Sequence, residues 1–280
     1  MASGSKKRIP VEMSSTPDPS LPNAPRPNIW GVACRPTFVF VAAFALSITP
    51  HEAVHAITGY LLGFSSTLFQ MWVNPDTASA TSGQLATIAA AGPIFSLTVG
   101  VICWVLYRWR FERRSSGLVF LMLAGVGIYS FLGPLADSAF GGDFHIAFAF
   151  LRISKAGFYL GSAAGLILLP SFMFLMGKEL VRWAPREFYR VKAVACATIA
   201  PWLIGTLITL LVYWPLPAFL VGSTIAGSVF WLFAVIGAAF GFSNSRHVEQ
   251  ATSFTPSDLL IAFVALAMVR LLVNGVHLAH

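Results

Sequence analysis

Charge is scarce in this sequence. Asp, Glu, Lys and Arg make up 10% of its 280 residues, whereas 56% are hydrophobic and the mean hydropathy is +0.74. A soluble domain carries about 25% charged residues, and no soluble fold of this size hides so much apolar surface. The composition therefore predicts an integral membrane protein. Cysteine is almost absent. Cys34, Cys103 and Cys196 stand far apart, which excludes a disulfide framework and a cysteine-based metal site. Each is expected to be a small apolar filler. Only 11 residues are acidic, few enough that every carboxylate can be weighed singly.

What charge there is lies unevenly. The formal net charge of +7 invites a nucleic-acid role, but the pattern argues against one. Residues 1–36 are rich in Pro, Ser and Asn and read as a disordered cytoplasmic tail, with no signal peptide expected. Seven apolar segments follow, near 37–63, 85–107, 117–135, 158–177, 193–213, 218–241 and 257–276. Each approaches the roughly 20 residues needed to span a bilayer. Lys6, Lys7, Arg8, Arg26 and Arg35 lie in the tail. Arg108, Arg110, Arg113 and Arg114 lie between the second and third segments. Lys178, Arg182, Arg186, Arg190 and Lys192 lie between the fourth and fifth, and Arg246 between the sixth and seventh. Alternating spans put all of these on one side, while connections 64–84 and 214–217 have no Lys or Arg. The positive-inside rule then predicts a cytoplasmic N-terminus and an external C-terminus. Arg152 and Lys155 depart from the pattern, in a connection that fits a helix lying at the interface.

The first segment contains the stretch ITPHEAVHAITGYLLG, residues 48–63. Ionisable side chains are costly in hydrocarbon and mark function there. His51 and His55 are four residues apart, so on a helix both rings reach one ion from the same face. Glu52 projects beside that face, where a carboxylate can take a proton from water. This is the physical content of the H-E-x-x-H pattern of zinc hydrolases. A plainer reading also exists. Pro50 can break the long first segment, and Thr49, Pro50 and Glu52 read as a capped helix start, with Glu52 closing a capping box.

A hydrolytic zinc site needs a third protein ligand and an open position. Glu12 and Asp18 fall in the tail. Glu112, Glu179, Glu187, Glu249 and Asp258 fall on the basic side, and Asp76 falls in the connection 64–84. Asp137 and Asp143 remain, in GPLADSAFGGDFHIAF, at about the depth of His51. Gly141 and Gly142 let the chain bend tightly before Asp143, which favours it as ligand. Asp137 is the alternative. His145 is a candidate ligand, oxyanion donor or supporting group.

These residues resemble the site-2 protease family of intramembrane zinc metalloproteases. HEAVH stands in the first core span. AAGPIFSL in the second is similar to that family's A-G-P helix, with Ser96 where an Asn is usual. In the third, Pro134 precedes LADSAFGGDF, although neither Asp is followed by Gly. The resemblance covers about residues 37–150. It implies Zn2+ held by His51, His55 and Asp143, catalysis by Glu52, and substrate contact by Gly92, Pro93 and His145. Locally, Gly92 and Pro93 can loosen a helix and admit close backbone approach.

The fold expected is all-α and polytopic, with about seven transmembrane helices and a possible re-entrant strand after the first. That strand is TLFQMWV, whose free edge would pair with an extended substrate. Residues 37–157 form the expected protease core and 158–280 an accessory bundle of four spans. The expected partners are the lipid bilayer and a membrane protein substrate, with no nucleic acid; the oligomeric state is left open. The short chain without an organelle presequence points to a bacterial cytoplasmic membrane. A second reading is a non-proteolytic subunit or transporter with a protease-like core. A third, a membrane protease of prenylated proteins, needs a deep Glu or His ligand from a later helix, and spans four to seven hold no acidic residue at such depth.

Overall fold

The computed structural model describes residues 29–185, 187–244, 248 and 254–279. The expected tail falls mostly outside these. Its end does not, because α1 (Ile29–Leu61) already begins at Ile29 rather than at 37. Nine more α-helices follow among the described residues: α2 (Ser82–Leu106), α3 (Gly117–Ala136), α4 (Gly142–Phe150) and α5 (Lys155–Leu180) complete the first part. Then come α6 (Arg190–Val194), α7 (Thr206–Val212), α8 (Ala218–Ser228), α9 (Trp231–Gly241) and α10 (Pro256–Leu271).

Six helical segments among the described residues are long and apolar enough to cross a bilayer: 29–61, 82–111, 117–139, 155–183, 190–212 and 218–241. The chain is a helical membrane protein. Large apolar side chains such as Ile167, Phe219, Phe240 and Phe263 stay exposed on its flanks, as lipid permits and water does not. The seventh expected span is shorter than the sequence implies. α10 has 16 residues, about 24 Å of helix against a core of about 30 Å. The chain then turns at Gly275, whose φ of +77° suits glycine.

Two ends of the bundle are tied differently. At one end, Arg35 of α1 bonds Asp258 of α10 at 2.8 Å with both side chains fully buried, and donates to the Ser115 carbonyl in the α2–α3 connection. Asp258 also closes the N-terminal capping box of α10 with Thr255. Nearby basic connections are laced by Arg182, which pairs with Glu112 and Glu179. At the other end, three short strands form an antiparallel sheet: β1 (Ser66–Leu68), β2 (Val73–Pro75) and β3 (Val276–Leu278), ordered β2-β1-β3. α1, α3 and α10 thus start at the first end and run toward the second.

The stretch expected as one strand is therefore two, joined by a turn in which Phe69 and Trp72 stack. β1 is paired on both edges, with β2 and with β3. The free edge expected of this segment is not on β1, because the C-terminal residues cover it.

Helix contacts rest on small residues, as is usual in membranes. A Cβ placed on Gly177 of α5 would lie 1.9 Å from the Ala234 carbonyl oxygen of α9, and one on Gly237 would lie 1.9 Å from that of Phe174. α5 and α9 therefore meet backbone to backbone. The span 190–212 widens to π-helical turns at 195–199 and 201–205, around Pro201, whose missing N–H interrupts the ladder. α1 lies between the two halves, against α2 and α3 on one side and α7 and α10 on the other.

Candidate metal centre

α1 runs unbroken through Pro50. Thr49 lies inside it, and its hydroxyl donates to the Gln70 carbonyl at 3.0 Å and meets the Tyr213 hydroxyl at 3.1 Å. The helix start expected at Thr49 is not formed, so Glu52 closes no capping box. Tertiary partners hold Thr49 in place of a cap, and the continuous helix keeps His51 and His55 on one face.

Both imidazoles aim Nε2 at the same point. The two Nε2 atoms are 3.1 Å apart. Asp143 Oδ2 lies 3.2 Å from that of His51 and 3.6 Å from that of His55. A tetrahedral ion with bonds of about 2.0–2.1 Å separates its ligand atoms by about 3.3–3.4 Å. The three atoms therefore stand at the mutual spacing such an ion imposes. Among the described residues, His51, His55 and Asp143 form the group able to hold a metal.

α2 supports this group from behind. Ile88, Gly92 and Ser96 are spaced by four and form one stripe of the helix. The Ile88 carbonyl accepts from His55 Nδ1 at 2.6 Å, and Ser96 Oγ meets His51 Nδ1 at 2.9 Å. A carbonyl only accepts, so Nδ1 of His55 carries the proton and in the neutral ring Nε2 is a bare lone pair. Such outer bonds fix the tautomer and orientation of metal-binding histidines. Between them, Gly92 leaves room. A Cβ there would lie 2.3 Å from His55 Nε2 and 2.7 Å from His51 Nε2. Pro93, also buried in α2, leaves the Ala89 carbonyl without its helical donor.

Asp143 arrives from a different element. Asp137–Ala139 form a 3-10 turn after α3, and the Asp137 carbonyl accepts from Phe140 and Gly141 N–H. Gly142 then takes a φ of +78°, open to glycine and strained for other residues. This places Asp143 in the first turn of α4, turned back toward α1.

The other candidates sit elsewhere. His145 points away from the group: its Nδ1 donates to the Ser138 carbonyl at 2.9 Å and its ring packs on Phe158. It is thus not brought together with the two histidines, because helix α4 turns residue 145 off the face of residue 143. Asp137 is exposed and lies outside the group, on the rim of an adjoining cavity. Gly92 and Pro93 lie behind the histidines, and neither lines that cavity. His277 of β3 meets the Thr67 hydroxyl, and His280 lies outside the described residues.

The cavity measures about 490 Å³. Glu52 lines it beside His51 and Asp143, with no hydrogen bond from the described residues. α3 contributes Tyr129, Ser130 and Pro134. Thr209 of α7, Thr224 of α8 and Trp231 of α9 line its other wall. The sequence reading missed this wall, and it missed the roles of Ile88 and Ser96. The four-residue spacing around Gly92 was the available signal for the latter. The wall had none, since its helices are ordinary in composition. No family model, curated protein or solved structure matches the chain.

Proposed function

We propose that this protein is an intramembrane zinc endopeptidase that cleaves a transmembrane or membrane-proximal segment of another protein. The observation that carries this reading is the convergence of His51 Nε2, His55 Nε2 and Asp143 Oδ2 at 3.1–3.6 Å, with Glu52 on the open side facing a cavity. Two imidazoles and one carboxylate with room for a fourth position are the donor set of hydrolytic zinc. Bound there, zinc supplies Lewis acidity, polarising a carbonyl and making water a nucleophile near neutral pH. The resemblance of HEAVH and AAGPIFSL to site-2 proteases points the same way.

The chain's own residues divide the remaining work. Ser96 and the Ile88 carbonyl hold the imidazoles in register, and Asp143 offsets part of the cation's charge. Glu52 accepts the proton of the attacking water as the new C–O bond forms. It returns that proton to the amide nitrogen as the C–N bond breaks.

Elemental analysis of detergent-purified protein, prepared without chelators, tests the metal. About one zinc per chain is expected. Asp143→Asn should lower occupancy at least about tenfold, as loss of a ligand and of its charge does. Asp137→Asn should leave it unchanged. Metal-free wild-type protein, or equal loss in the two variants, would remove the basis of the proposal.

The same reading places the protein in a bacterial cytoplasmic membrane with its N-terminus inside and C-terminus outside. In a variant lacking the three native cysteines, Ser5→Cys should react with an impermeant maleimide only from the cytoplasmic side. Ala279→Cys should react only from the other. Labelling of both from one side would mean that α10 does not complete a crossing.

A further inference from the structure

The wall of the cavity contributed by the C-terminal half holds an unexplained feature. Hydroxyls in these helices generally bond within their own helix. Thr37, Thr87, Thr98, Ser130, Ser171 and Thr198 each donate to the carbonyl one turn back at 2.7–2.8 Å. Thr209 and Thr224 do not. Their Oγ1 atoms are buried and, like the Ser47 and Ser115 hydroxyls, have no hydrogen-bond partner among the described residues; Thr209 is only 2% exposed. The carbonyl one turn before Thr224, that of Leu220, accepts from Ser223 instead. Both threonines line the same cavity as Glu52, His51 and Asp143. Buried polar groups are nearly always paired, so two unpaired hydroxyls facing one cavity imply an absent acceptor.

The position of the wall is fixed by other contacts. Tyr213, one turn beyond Thr209, meets the Thr49 hydroxyl, and Gln70 Nε2 donates to the Tyr213 carbonyl. α7 is thereby clamped to α1 two residues from His51. The size is also informative. One turn of helix, about 10–12 Å across and 5.4 Å long, fills roughly 500 Å³ with about four residues. The cavity, about 490 Å³, has room for at least a stretch of that size. A cleavable segment must first leave the helical form, which frees its carbonyls in an apolar site where unpaired acceptors are costly.

We infer that Thr209 and Thr224 form a binding site for the backbone of an unwound polypeptide stretch of about four residues, their hydroxyls donating to its carbonyl oxygens. This rests on the proposed endopeptidase reading for its substrate class, but the site is a peptide site whether or not cleavage occurs. Both residues are positioning groups, and neither takes part in bond breaking.

Binding of a fluorescein-labelled tetra-alanine amide to micelle-solubilised Glu52→Gln protein, read by fluorescence anisotropy, tests the wall without chemistry. The double variant Thr209→Val, Thr224→Val preserves shape and removes both donors. It should bind the peptide about tenfold more weakly, as loss of two hydrogen bonds implies. Thr209→Ser, Thr224→Ser restores the donors and should restore most of the affinity, with zinc content equal in all three. Equal affinity of the valine and threonine proteins overturns the inference, as does failure of the peptide to bind any of them. Cleavage of labelled casein by the chain with Glu52 intact is measured separately. Hydroxyl-dependent binding without cleavage would sink the endopeptidase reading and leave the peptide site standing. Cleavage with hydroxyl-independent binding would do the reverse.

Discussion

Gly92→Ala is expected to empty the metal centre. The added methyl carbon would sit 2.3 Å from His55 Nε2 and 2.7 Å from His51 Nε2, in the space between the two rings. Neither ring can swing away cheaply. His55 is held through Nδ1 by the Ile88 carbonyl and His51 by Ser96, and both rings are buried. α2 cannot retreat freely either, because Gly100 meets the backbone of α3 closely one face further along. Zinc content should fall below about one tenth of wild type, as expected when two ligands are displaced together. Helix content by circular dichroism should stay unchanged, since alanine favours helix over glycine. Gly83→Ala, in the first turn of the same helix, is the control: nothing lies within 4 Å of its added carbon. It should retain full zinc. A Gly92→Ala protein with stoichiometric zinc would show that the ion is held somewhere other than between these imidazoles.

Glu52→Gln should abolish cleavage of labelled casein while leaving zinc in place. The two side chains have the same shape, but only the carboxylate accepts a proton. Loss of a general base of this kind typically costs about 10²–10⁴-fold in rate. Glu52 takes no hydrogen bond from the described residues and makes no cap, since α1 continues through Pro50. The substitution therefore removes no structural contact, and the melting temperature should not fall. That combination separates chemistry from folding. Activity within a few-fold of wild type in Glu52→Gln, with zinc retained, would falsify the assigned role. It would favour the second reading, of a membrane subunit with a protease-like core and no proteolysis.

Pro50 was a reasonable helix break on local grounds, because it lacks an N–H. The helix persists because Thr49 and its neighbours are gripped by Gln70 and Tyr213, contacts from residues 21 and 164 positions away. His145 looked like a ligand by proximity to Asp143. Two residues of α4, about half a turn, send the two side chains in different directions, and the Ser138 carbonyl claims the imidazole. The strand TLFQMWV was expected to offer an open edge. Instead β3, from the other end of the chain, pairs with β1, and the outer strand from this stretch is β2.

The sequence by itself determined the solvent and the ligand pair. Hydropathy summed over some 20 residues at a time needs no partner to be legible. The i, i+4 spacing of His51 and His55 is a property of one helix. The third candidate ligand was narrowed to Asp137 and Asp143 by the scarcity of acid together with side and depth. Only the tertiary structure brings Asp143 rather than Asp137 to the two imidazoles, because that depends on how the turn at Gly142 aims α4 back at α1. It also decided the space for an ion. Gly92 is one of 23 glycines, and nothing local distinguishes it from the rest. What singles it out is that α2 crosses α1 with residue 92 against two imidazole nitrogens, and the closeness of two helices is not encoded in the spacing of either one.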